Sequence, residues 1–233
     1  IEMSFIEQND IIELGTNLVK YIWEESLGVK FDKEFPIISY DDAMNNYGSD
    51  KPDIRFDMKL IDFSSYIKKS DFNTFKTIIE SGGMVKAIIC PNANNYSRKV
   101  IDELTDFIKT YYGAKGLAWF KVNDNKFDGG IGRFFDETNQ AMIIKECKVN
   151  NNSIVFMVCD SKKITLQALG ALRLKLAEKE NLINKDWAPL WVVDFPLFEK
   201  DQDRFIPLHH PFTCPNNDDI HLLNETPEKV RSL

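Results

Sequence analysis

Apolar residues recur along this chain with two periods, and the switch between them marks out its elements. Near-continuous apolar runs at Val85–Cys90, Leu117–Val122, Ile154–Cys159 and Leu190–Val193 predict strands. Between them the period lengthens to that of a helix. Val100, Ile101, Leu104, Phe107, Ile108 and Tyr111 share one side of a segment that opens at Ser97 and stops at Gly113. A helix is expected around residues 71–81, and another opens near Ser161 and runs through Leu169, Leu172 and Leu176. Ile11, Leu14, Leu18, Ile22 and Leu27 predict an amphipathic helix over residues 10–28, capped by Asp10 or Asn9 and stopped by Gly28. Ile1–Phe5 reads as the end of a strand, and Phe35–Tyr40 as a short strand before a helix that Asp41 caps and Gly48 ends. Turn chemistry at residues 48–53 marks a boundary, and Asn150-Asn151-Asn152 is a loop tip. Strands alternating with helices predict a mixed α/β architecture, not a helical bundle.

Composition adds few constraints. With 17 Phe, 7 Tyr and 4 Trp in 233 residues, the chain has enough apolar surface to fold into one large domain or two small ones. No apolar run reaches the roughly 18 residues of a membrane helix. Cys90, Cys147, Cys159 and Cys214 form no CxxC pair and follow no signal-peptide pattern, so reduced thiols and a cytoplasmic location are expected. The opening Ile1-Glu2-Met3-Ser4-Phe5 lacks an initiating Met or polar lead-in, which predicts a stretch cut from a longer protein.

The net charge of −7 conceals an uneven distribution. Residues 1–56 carry 12 acids and 5 bases, residues 57–185 carry 15 and 20, and residues 186–233 carry 9 and 4. A mildly basic block between two acidic flanks is the pattern of an inserted module. The overall negative charge disfavours nonspecific binding to nucleic acid and leaves only docking through the central block.

Candidate chemistry concentrates near the C-terminus, where all three histidines lie. His209 and His210 sit between Pro207 and Pro211, on a strand end or rigid turn, so only one of the two faces a given pocket. His210, Cys214 and His221 match no closed zinc spacing, and nothing marks Cys214 as an activated thiolate; no metal ligand is assigned. There is neither a P-loop nor a GxGxxG motif. Tyr111, Tyr112, Trp119 and Phe120 interleave with Arg98, Lys109, Lys115 and Lys121, a pattern open to nucleic acid, although most of these aromatics fit core faces. From the residues alone the function stays unassigned.

Six segments taken together resemble the bacterial-type aspartyl-tRNA synthetases, a class II family. They are Ile1–Phe5, Tyr47–Asp53, Tyr112–Ala118, Leu169–Leu174, Trp187–Pro196 and His209–Thr213, in register over nearly the whole chain. The resemblance implies an α+β organisation. A GAD-type insertion at 56–182 would separate catalytic-domain segments at 1–55, after the second class II motif, and 183–233, before the third. It implies ATP and Mg2+ as requirements, L-aspartate and tRNA(Asp) as partners, and a homodimer, with no membrane or DNA partner. His209 matches the family's aspartate-binding histidine, and His210 the neighbour that approaches the same pocket. Glu2 matches a pocket-facing position. Lys51 and Arg55 lie where the tRNA acceptor end could be met, or where a hinge is braced by Asp50 and Asp53.

The resemblance assigns no catalytic residue to this stretch: the anticodon-binding barrel, the first and third motifs and the arginine of the second have no counterpart in it. The stretch by itself is therefore expected not to activate aspartate. The alternative is a non-catalytic, GAD-containing tRNA-binding module related to the B subunit of glutamyl-tRNA amidotransferase. His209-His210-Pro211-Phe212 and the 187–196 segment speak against that alternative.

Overall fold

All eight residues of the strand Ser153–Asp160 are buried, and the larger of two units is layered around it. The computed structural model describes every residue except Glu2, Asp203 and Pro211. In chain order the elements are α1 (Gln8–Leu27), β1 (Ile37–Ser39), α2 (Tyr40–Tyr47), β2 (Ile61–Asp62), α3 (Ser64–Lys68), α4 (Asn73–Glu80), β3 (Met84–Cys90), α5 (Arg98–Tyr112), β4 (Ala118–Asn123) and β5 (Lys126–Asp128). They continue with α6 (Glu137–Glu146), β6 (Ser153–Asp160), α7 (Lys162–Lys179), β7 (Trp191–Val193), β8 (Phe198–Asp201) and β9 (Arg204–Pro207). One unit comprises Ile1–Asp41 with Ala188–Leu233, the other Asp42–Trp187.

The larger unit holds a five-stranded antiparallel sheet of order β2-β3-β6-β4-β5. Alternation along β6 divides the core between the two faces of the sheet. Ile154, Phe156 and Val158 join Ile101, Leu104 and Ile108 of α5 and Leu166, Leu169, Leu172 and Leu176 of α7. Val155, Met157 and Cys159 join Phe63 and Ile67 near α3, Phe75 and Ile78 of α4, and Ile143 of α6. Helices on both faces explain why β6 reads as one unbroken apolar run. Caps set the helix ends: Ser97 Oγ accepts from the Val100 N–H, Ser161 Oγ from the Ile164 N–H, and Gly113 closes α5 in the left-handed region at φ 70°.

The two compact units meet at 41/42 and 187/188. Residues 42–55 pack with the larger unit because α2 ends at Gly48 against α7. Gly48 has φ +69°, and an added Cβ there would lie 2.7 Å from the Gly170 backbone nitrogen. Only a pair of glycines lets the two backbones approach so closely.

In the smaller unit β1 pairs in parallel with β7, Ile37 opposite Trp191 and Ser39 opposite Val193. The Trp191 indole N–H donates to Thr16 Oγ1 at 2.9 Å, and its ring fills the space above Gly15. Two expectations are corrected here. The face of α1 that meets Trp191 of β7 carries Gly15 and Thr16, whereas Ile11, Leu18, Ile22 and Leu27 of the expected stripe each remain more than 40% exposed and Leu14 is half-buried. Small residues, not the largest apolar ones, admit the Trp191 ring. Residues Ile1 and Met3–Phe5 form no strand: none of them has a ladder partner among the described residues, and Phe5 takes φ 58° with its ring in solvent. Helix α1 also begins before the expected cap, with Asp10 Oδ2 accepting from the Glu7 N–H at 2.7 Å.

Candidate functional site

Beyond β7 the chain turns sharply, and this turn builds the surroundings of the histidines. Asp194 takes φ 59°, a strained conformation for a residue other than glycine, and releases Phe195 and Pro196 from the strand direction. The hairpin β8–β9 follows, Phe198 opposite Pro207, and the chain returns when the Leu208 N–H donates to the Leu197 carbonyl at 3.1 Å. His209 comes next, half-buried, with its ring edge-on to Phe195 at 5.7 Å between centroids. Its Nε2 is buried and has no hydrogen-bond partner among the described residues. A buried imidazole nitrogen left open in this way is fitted to a ligand acceptor or donor.

His210 has a different set of contacts from His209. It is exposed; its Nδ1 accepts from the Phe212 N–H at 3.2 Å, its carbonyl accepts from the Thr213 N–H at 2.9 Å, and its ring meets Phe212 at 4.7 Å. With Nδ1 an acceptor, the remaining donor of a neutral imidazole is Nε2. Pro211, which the sequence reading used to stiffen this turn, lies outside the described residues, as does Glu2.

Behind the turn stands an ionic cluster that the sequence reading did not anticipate. Asp219 Oδ2 accepts from Arg231 Nε at 2.7 Å and from its backbone N–H at 3.0 Å, Asp219 Oδ1 accepts from Nη2 at 3.0 Å, and Asp194 Oδ1 accepts from Nη1 at 3.3 Å. The side-chain and backbone donors of Arg231 hold the Asp219 carboxyl down at about 2. Because this carboxyl titrates below its unfolded value, the stability it contributes is fully present above about pH 4 and is lost as the pH falls through about 2. A carboxyl-carbon NMR titration of Asp219 should therefore place its midpoint near 2; a midpoint near 4 would refute the bidentate pair. Asp194 and Phe195 also line a cleft of about 350 Å³ with Ile6, Glu7, Ile11 and Leu233, and neither histidine lines it.

Lys51 and Arg55 belong to the larger unit. Arg55 closes on Asp53, with Nη2 donating to Oδ2 at 2.6 Å and Nε to Oδ1 at 3.0 Å, and this lowers the Asp53 carboxyl from its ordinary value. The Lys51 side chain is exposed, and its backbone N–H donates to Ser49 Oγ. Of the interleaved aromatics, Phe120 is wholly buried, Tyr112 and Trp119 pack against the core, and Tyr111 is exposed. No group of three or more His, Cys, Asp or Glu among the described residues is placed to hold a metal ion. No helix among them is long and apolar enough to cross a membrane.

Residues 75–169 match the GAD domain. Over its whole length the chain is 42% identical to the aspartate–tRNA ligase of Staphylococcus haemolyticus and 44% identical to that of Halalkalibacterium halodurans. In each case it spans 40% of the relative's length. These matches extend beyond the GAD domain on both sides and take in the turn that carries His209 and His210. From end to end, this chain resembles a GAD-containing segment of the bacterial-type aspartyl-tRNA synthetases.

Proposed function

We propose that the protein carrying this chain is an aspartate–tRNA ligase. In that reaction an L-aspartate carboxylate oxygen attacks the α-phosphorus of ATP, the bond to pyrophosphate breaks, and the aspartyl-adenylate then gives its aspartyl group to the terminal adenosine of tRNA(Asp). The observation that carries the reading is a 42% identity over the whole chain that reaches beyond the GAD match into a segment where His209 holds a buried Nε2 with no hydrogen-bond partner among the described residues. The chain supplies catalytic-domain segments at 1–55 and 183–233 and the insertion at 56–182.

His209 donates from Nε2 to the aspartate side-chain carboxylate, backed by the Phe195 ring. A dry, fixed donor of this kind discriminates strongly, because a substrate without the matching acceptor leaves it unpaired. His210, anchored through Nδ1, presents its Nε2 from the neighbouring turn position. Lys51 meets the tRNA acceptor end, while Arg55, neutralised by Asp53, braces the segment leading into the insertion. ATP and Mg2+ are held by residues outside this stretch. The protein works in the cytoplasm as a homodimer, with neither membrane nor DNA as partner.

The non-catalytic tRNA-binding module fits less well, since such a module gains nothing from a histidine 40 residues beyond the GAD match whose buried Nε2 has no partner among the described residues. Pyrophosphate exchange separates the readings. The protein carrying this chain should exchange pyrophosphate into ATP only with L-aspartate, and the 233-residue stretch alone should be silent. Equal silence of the whole protein would overturn the assignment, and exchange by the stretch alone would overturn its dependence on residues elsewhere.

A further inference from the structure

Arg231 is tied to the histidine turn at two removes. Its guanidinium spans Asp219 and Asp194, and Asp194 is the left-handed residue that aims Phe195. The same two segments are stapled along the backbone: the Leu197 N–H donates to the Val230 carbonyl at 2.8 Å, the Ser232 N–H to the Phe195 carbonyl at 2.7 Å, and Ser232 Oγ to that carbonyl at 3.0 Å. Phe195, held on both sides, is the ring against which His209 rests. The Arg231 side chain is 40% exposed and so is not a filler of the core.

We propose that Arg231, locked by Asp219, is a positioning residue for aspartate recognition, fixing Asp194 and Phe195 and through them the orientation of His209. The proposal rests on the reading of His209 as an aspartate ligand. A planar fork that engages one carboxylate in bidentate fashion while a third N–H reaches a second is a geometry lysine cannot reproduce. Displacement of a substrate-orienting group by even 1 Å costs about 10- to 100-fold.

The test uses the whole protein carrying this chain, with Arg231→Met, Arg231→Lys and Asp219→Asn. The Michaelis constant for L-aspartate should rise about tenfold in R231M and D219N, while that for ATP changes less than about twofold; R231K should fall between R231M and wild type. Equal rises for both substrates, a fall in kcat alone, or a lowered melting temperature with an unchanged aspartate constant would overturn the proposal. A wild-type protein without aspartate-dependent exchange would instead remove the reading on which it rests. The positioning claim then stands or falls on the His209 imidazole resonance, assigned with His209→Asn: it should shift in R231M but not in Lys200→Met, and an unmoved resonance would overturn it.

Discussion

Replacing Arg173 with Met should destabilise the larger unit by about 3–5 kcal/mol and lower its melting temperature by on the order of 10 °C. The side chain is 1% exposed and pairs with no carboxylate among the described residues; three main-chain carbonyls satisfy it instead. Nε donates to Met58 O at 2.6 Å, Nη1 to Asp53 O at 2.8 Å and Nη2 to Phe56 O at 3.0 Å. The guanidinium also lies 3.8 Å from the centroid of the Phe56 ring and 4.9 Å from that of Tyr47. Burial pulls its pKa down to about 10, which leaves it charged at neutral pH. Methionine would fill much of the volume but leave three acceptors without donors, and buried acceptors are costly to orphan. Arg173→Lys should recover less than half of the loss, since one ammonium group cannot replace a fork that donates in three directions. Denaturant unfolding decides the point: a loss below about 1 kcal/mol for R173M would show the carbonyls to be satisfied in another way.

Gly170→Ala should also destabilise the larger unit, by about 2–3 kcal/mol, against the usual preference for alanine inside a helix. Its Cβ would overlap the Gly48 carbonyl oxygen, with the Gly48 carbonyl carbon 2.8 Å and Tyr47 O 3.0 Å away. All of these are backbone atoms, so relief requires α2 and α7 to separate. Gly116→Ala, with nothing within 4 Å of the added Cβ, should be close to neutral. Combined with R173M, the two losses should not add, because both act on the segment that runs from Tyr47 to Met58. A neutral G170A, or full additivity, would mean that the glycine contact and the arginine clamp do not hold the same segment.

Much of the larger unit is legible in its sequence because local and global preferences agree there. Strand β6 is an unbroken apolar run bounded by an Asn loop and a Ser cap, and α5 carries its apolar stripe between Ser97 and Gly113. Arg173 was equally readable in principle, as a cation flanked by Leu169, Leu176 and Ala177 on the buried side of α7. Helix α1 was harder: its pattern offers two apolar stripes, and Trp191, more than 160 residues away, selects the one with Gly15 and Thr16. The histidine turn was legible in the sequence only as a stretch set between prolines. Its Phe195 backing and the Asp194–Arg231–Asp219 cluster were not, because they bring together segments whose separation no periodicity records.

The central claim is that His209 recognises the substrate, and it is tested most directly by His209→Ala in the whole protein carrying this chain. With one donor to a carboxylate removed, a difference of roughly 1.5–3 kcal/mol, the Michaelis constant for L-aspartate should rise by about 10- to 100-fold while that for ATP stays within about twofold. His221→Ala, a change at the third histidine, should leave both constants near wild type. An unchanged aspartate constant in H209A, or an equal rise for both substrates, would contradict the account.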